Sequence, residues 1–145
     1  MKGKIQFFTE NVRFNIKRKN EIRQWLHGVI EKEGGQCGTL TYIFCNDEYL
    51  SNLNNRFLKH TTLTDILTFQ TNGKEEAIAG EIFISVDRVT ENAEKYHVNF
   101  EEELRRVMVH GVLHLLGYKD KMKDEKVKMR QKEDCYLGMF PTFKG

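Results

Sequence analysis

Three short apolar runs, TLTYIFC at 39–45, DILTFQ at 65–70 and GEIFISV at 80–86, constrain the fold most strongly. Each is rich in β-branched and aromatic residues and too short for a buried helix, so each reads as a strand. Residues 4–8 supply a fourth. Helical spacing fills the gaps between them. Asn20 can cap a helix carrying Ile22, Trp25, Leu26, Val29 and Ile30, which Gly34 and Gly35 close. Further helices are expected over 47–57, over 87–97, from an Asn99 cap with Glu102 through Leu116, and over 121–137. Residues 59–63 read as a loop, and Asn72-Gly73 is a turn signal that fits a hairpin between the third and fourth strands. These elements predict an α+β fold: a single layer of about four mixed strands packed with about five helices.

A chain of 145 residues fits one domain, 1–145, with one core and one site. The formal charge of +2 permits an RNA partner without arguing for one. Basic residues able to track a backbone are Lys17, Arg18, Lys19, Lys59, Arg88, Arg105 and Arg106. Cys37, Cys45 and Cys135 are odd in number and lack CxxC spacing, which fits free thiols in a reducing compartment. No run approaches the ~20 apolar residues of a membrane span, so the expected location is cytoplasmic, with no membrane partner.

The chemistry concentrates in HGVLHLLGYKD, residues 110–120. His110 and His114, at i and i+4 on a helix, project from one face and can share a metal ion. Gly117 then breaks the helix, so Asp120 can return as a third ligand. Two histidines and a carboxylate leave a tetrahedral ion one position for water. The metal site is therefore expected at a helix C-terminus. Gly111 stands where the HExxH metalloproteases have their general-base glutamate, so protease chemistry by that route lacks its base. Asp120 has a second reading as the N-cap of a helix starting near Lys121, and Asp124 is an alternative third ligand.

The run HGVLHLLGY is similar to the signature of the YbeY family of metal-dependent endoribonucleases, in which two histidines lead through Gly-Tyr to an acidic residue and a third histidine. That third histidine falls on Asp120 here. Aspartate is a competent zinc ligand, but its negative charge should leave the bound water less acidic. The resemblance continues upstream. LSNLNNRF resembles the family's Asn-rich helix ending in an arginine, here Arg56; TDILTF from Thr64 resembles its Thr-Asp strand, with Leu63 in place of the usual proline. Gly80, Glu81 and Ile82 match a Gly-acidic-Ile strand.

The resemblance implies a zinc-dependent hydrolase, one Zn²⁺ per chain, that cleaves single-stranded RNA in rRNA 3′-end maturation and ribosome quality control. Ribosomal proteins or assembly GTPases would be its partners. It also implies that Arg56 joins His110 and His114 in catalysis by binding nonbridging phosphate oxygens, with Lys59 and His60 in the following loop as further RNA contacts. Two other readings compete: a non-catalytic ribosome-assembly or RNA-binding factor with a structural metal, and a metallohydrolase of another substrate. A nonhaem iron oxygenase, which shares the donor set, ranks last.

Overall fold

The computed structural model describes residues 3–58, 64–71 and 77–140. Its elements run β1 (Ile5–Thr9), α1 (Lys19–Lys32), β2 (Gln36–Cys45), α2 (Asp47–Leu58), β3 (Ile66–Gln70), β4 (Ala77–Ser85), α3 (Val86–Tyr96), α4 (Phe100–Leu115) and α5 (Lys123–Gly138). The strands form one mixed sheet in the order β1-β2-β4-β3. β1, β2 and β4 are parallel, and β3 returns antiparallel to β4, as the hairpin reading required. The Asn72-Gly73 turn and the 59–63 loop lie outside the described residues.

β2 and β4 occupy the middle of the sheet, which is why their sequences read as nearly continuous apolar runs rather than alternating ones. The two-residue period still sorts their side chains. Leu40, Tyr42, Phe44, Ile82 and Ile84 face Leu26, Val29 and Ile30 of α1 and Met108 and Val112 of α4. On the opposite face, Ile43, Cys45, Phe83 and Leu67 pack with Leu50 of α2. The buried Tyr42 hydroxyl donates to the carbonyl of Met108 at 2.8 Å, pinning α4 to the sheet two residues before His110. Among the described residues no helix is long and apolar enough to cross a membrane.

Several boundaries differ from the sequence reading; β4 starts at Ala77 rather than Gly80, and three others have a visible cause. α1 begins at Lys19, with Arg18 rather than Asn20 as N-cap, at φ 59°. Asn20 instead accepts a bond from Arg23, and Arg18 pairs with Glu21. β2 starts at Gln36, because Gln36 and Cys37 pair with Ala77 and Ile78 ahead of a register shift. α5 starts at Lys123, since Glu125 accepts from the backbone N–H of Met122 at 2.9 Å and fixes that residue as N-cap. Other sequence signals hold: Asn99 accepts from Glu102 N–H at 2.8 Å, and Gly34 takes φ +82° where α1 ends. All three cysteines are free. Burial pushes the Cys37 thiol up to about 11 and the Cys45 thiol up to about 12, so neither is a poised nucleophile.

Candidate metal centre

α4 lies across β3 and β4, and Gly111 is what lets it approach. A Cβ at that position would stand 3.0 Å from Ile82 Cγ2 and 3.1 Å from Ile66 Cδ1. Position 111 therefore faces the sheet, while His110, one residue earlier, lines a cavity of about 360 Å³ together with His114 and Asp120. The two imidazoles are 4.7 Å apart between ring centroids, at 77° to each other.

After Leu116 the chain reverses through a Schellman turn. Gly117 adopts φ +111°, its N–H bonds His114 O at 3.0 Å, and Tyr118 N–H bonds Leu113 O at 3.0 Å. Residues with a Cβ resist that φ, so the glycine decides where the helix stops. The turn delivers Asp120, whose Oδ2 is 3.3 Å from His110 Nε2 and whose Oδ1 is 3.4 Å from His114 Nε2. One donor atom from each of the three residues lies within 4.8 Å of the others.

These residues fit a zinc ion. Donors placed about 2.0–2.1 Å from a tetrahedral ion stand roughly 3.3–3.4 Å from each other, whereas a charge-assisted N–H···O bond closes to about 2.7–2.9 Å. Both nitrogen-to-oxygen spacings are longer than such a bond and near the first value, each made by a different oxygen of the Asp120 carboxylate, so the three side chains surround one ion-sized space. With Met122 as N-cap of α5, Asp120 is also released from the capping role open to it in the sequence. Asp124 is exposed in the first turn of α5 and does not belong to the cluster.

The sequence reading did not find the side chain that holds His110. Glu133 of α5, only 5% exposed, places Oε2 2.6 Å from His110 Nδ1, and its Oε1 accepts from Arg106 at 2.9 Å. A carboxylate on Nδ1 keeps the proton there and leaves Nε2 free for a metal. Burial works against a charged His110, but the bond and charge of Glu133, with Asp120 and Asp65, carry its pKa above the ordinary value. The available signal was a stripe on α5: Met129, Glu133 and Tyr136 are its buried residues, at i, i+4 and i+7, with a glutamate inside an otherwise apolar line.

Two further carboxyls line the cavity, Asp65 just ahead of β3 and Glu103 in the first turn of α4. Burial pushes both upward. Arg56 lies elsewhere, exposed in the last turn of α2 with its guanidinium 5.4 Å from the Phe57 ring, and it is not among the described residues lining the cavity. Lys59 and His60 lie outside the described residues. Several expected RNA-tracking cations are engaged within the protein: Arg88 with Asp47 and Glu91, Arg106 with Glu133 and Asp134, and Arg105 over the Phe140 ring.

A second network fixes the turn that carries Asp120. Glu33, following α1, accepts from Tyr118 Oη at 2.6 Å, from Lys132 Nζ at 3.0 Å and from the Tyr136 hydroxyl. Burial would raise the Glu33 carboxyl, but these donors outweigh it and hold its pKa below the usual value. A depressed carboxylate contributes stability above its unfolded pKa and loses it as pH falls through the folded one. Glu33→Gln is therefore expected to destabilise by about 1.5–3 kcal/mol at pH 7, the range for hydrogen bonds to a charged group. Its deficit against the parent should shrink below about pH 4, which urea midpoints measured from pH 3 to 7 will show.

Comparison with known proteins identifies the family. A family model described as endoribonuclease YbeY matches residues 4–140. The chain is 43% identical over 136 residues to the endoribonuclease YbeY of Amoebophilus asiaticus, covering 94% of this chain and 92% of that protein. It is 47% identical over 135 residues to that of Cytophaga hutchinsonii, covering 93% and 94%. The solution structure of TM1509 from Thermotoga maritima is similar with a TM-score of 0.64 at 29% identity, over 92% of this chain and 87% of that one. Sheet, helices and the histidine-bearing α4 all fall inside the matched span, and the chain belongs to the endoribonuclease YbeY family.

Proposed function

We propose that this chain is a zinc-dependent, single-strand-specific endoribonuclease of the cytoplasm, acting in rRNA 3′-end maturation and ribosome quality control. The observation that carries the proposal is the convergence of His110, His114 and the Asp120 carboxylate, with donor atoms within 4.8 Å of one another, inside a cavity, in a chain of an endoribonuclease family. Bound there, one zinc per chain would supply Lewis acidity to a phosphoryl oxygen and lower the pKa of water.

The protein's own groups divide the remaining work. Glu133 orients His110, and the Schellman turn with the Glu33 network holds Asp120 in reach. Asp65 is the group we assign to proton transfer, because a cavity carboxyl raised by burial suits the taking and returning of a proton, from water or from a 2′-hydroxyl. Arg56 is assigned to the substrate's nonbridging oxygens where the RNA passes beyond the cavity along α2.

Charge explains why the ion would matter to binding as well as to chemistry. Among the described residues lining the cavity, the carboxyls Asp65, Glu103, Asp120 and Glu133 outnumber the guanidiniums Arg106 and Arg130 by four to two. A phosphodiester is repelled from such a lining until a divalent cation offsets it. The test is elemental analysis of protein purified without affinity-tag metal, followed by cleavage of a single-stranded RNA before chelation, after it, and after zinc is restored. About one zinc per chain, with cleavage and RNA affinity both lost on chelation and both regained with zinc, is the expected result. Full cleavage by metal-free protein would refute the proposal.

A further inference from the structure

The cavity has an aromatic at its edge that nothing in the metal centre uses. Tyr96, in the last turn of α3, lines the same cavity as His110, His114 and Asp120, yet remains 49% exposed. An aromatic of that size left half in water beside a polar cleft still presents flat apolar surface to solvent. His97 follows it as C-cap at φ 59°, ending the helix directly after the ring. Asn92, one turn earlier at i−4, lines the cavity as well, so this edge of α3 combines an aromatic face with an amide. The Lys95 ammonium stands 5.5 Å from the Tyr96 ring centroid.

A different wall of the cavity, formed by α5, carries Arg130. Arg88 and Arg106 are held in ion pairs, whereas Arg130 is exposed and makes no salt bridge among the described residues. The cavity is thus lined by a flat aromatic from α3 and by an exposed guanidinium from α5, whose charge also acts on Glu103, together with the candidate metal ligands.

We propose that Tyr96 is the stacking platform for an unpaired nucleobase of the RNA substrate, with Arg130 receiving a neighbouring phosphate. This rests on the ribonuclease reading above and adds to it the subsite that selects single-stranded RNA. A base within a duplex has both faces covered by its neighbours, so only an unpaired, splayed base can lie on an isolated ring. Stacking tolerates every base because each has a π-face, so the subsite confers strand selectivity with little sequence preference. Asn92 contributes a donor and an acceptor for the edge of the same base.

The experiment uses the full chain loaded with zinc, a single-stranded oligoribonucleotide, and the same oligonucleotide annealed to its complement. Tyr96→Ala is expected to raise KM for the single strand about tenfold, in keeping with the loss of one base–aromatic stack, with kcat within twofold of the parent. It should also narrow the preference for single over double strand. Tyr96→Phe keeps the ring and should keep the parental KM. An unchanged KM in Tyr96→Ala, or a Phe variant as impaired as the Ala variant, overturns the stacking role.

Should the parent protein cut no RNA, the ribonuclease reading fails, and the subsite is tested separately by Tyr96→Trp. The chain's only tryptophan, Trp25, is 6% exposed with its indole N–H bonded to Tyr136 O at 2.8 Å, so a change on titrating the oligonucleotide reports on position 96. Saturable quenching supports the platform. Fluorescence unmoved at saturating RNA overturns it.

Discussion

His114→Ala is expected to lower RNA cleavage by on the order of a thousandfold or more while leaving the fold in place. An ion used as a Lewis acid contributes several kcal/mol to the barrier, and each ~1.4 kcal/mol is tenfold in rate. Removing His114 leaves His110 and Asp120 as the remaining donors. The His114 side chain is 29% exposed, its closest ring partner is His110, and it is absent from the apolar core, so truncation opens no cavity there. Metal-free parent and metal-free variant should therefore melt within a few degrees of each other. A metal that only pins the last turn of α4 would behave differently, because its loss would appear as a fall in the holo melting temperature with cleavage persisting. Elemental analysis of the same preparations should show zinc absent from the variant. Zinc retained at one per chain together with undiminished cleavage would remove His114 from the site. Asp120→Ala provides the companion measurement, since zinc surviving that change would move the third ligand off Asp120.

What was legible in the sequence, and what was not, follows from the range of the interactions. The strands at 39–45, 65–70 and 80–86 and the histidines at i and i+4 are local patterns, and local patterns survive in one dimension. Gly117 was legible too, because a helix stop by a residue at φ +111° is written in a single glycine. The N-cap reading of Asp120 falls because Met122 is the N-cap of α5, which depends on the bond from Met122 N–H to Glu125 rather than on residue type at 120. Glu133 was hidden because its partner, His110, is 23 residues away, and pairing across two helices has no signature within either. Asp65 has no visible role within its strand motif, since only the crossing of α4 over β3 brings it to the cavity. Arg106 was read as a surface cation, and the buried Glu133 carboxylate claims it instead.

Gly111 carries the largest expected effect on stability, and it shows why this helix cannot be converted into a protease helix. Gly111→Glu recreates the HExxH spacing, yet position 111 faces Ile66 and Ile82 across the α4–sheet contact. The new Cβ alone would stand 3.0–3.2 Å from those side chains, and the carboxylate would have to pass between them. Overpacking of a close helix–sheet contact costs about 1–3 kcal/mol, and a carboxylate without a partner in an apolar contact adds several more. A total loss of about 4 kcal/mol or more is a large share of the 5–15 kcal/mol that holds an ordinary domain together. The urea midpoint should fall accordingly, and peptidase activity should not appear, because the carboxylate points at the sheet and not at His110 and His114. Gly111→Ala isolates the Cβ from the charge. Its gain of about 1 kcal/mol in helix propensity opposes the displacement of the isoleucine methyls, so it should fall within about 1 kcal/mol of the parent. A Glu variant with the parental midpoint would mean that α4 can lift from β3 and β4 at little cost, and the close approach that sets His110 over the cavity would then not be a fixed feature of the fold.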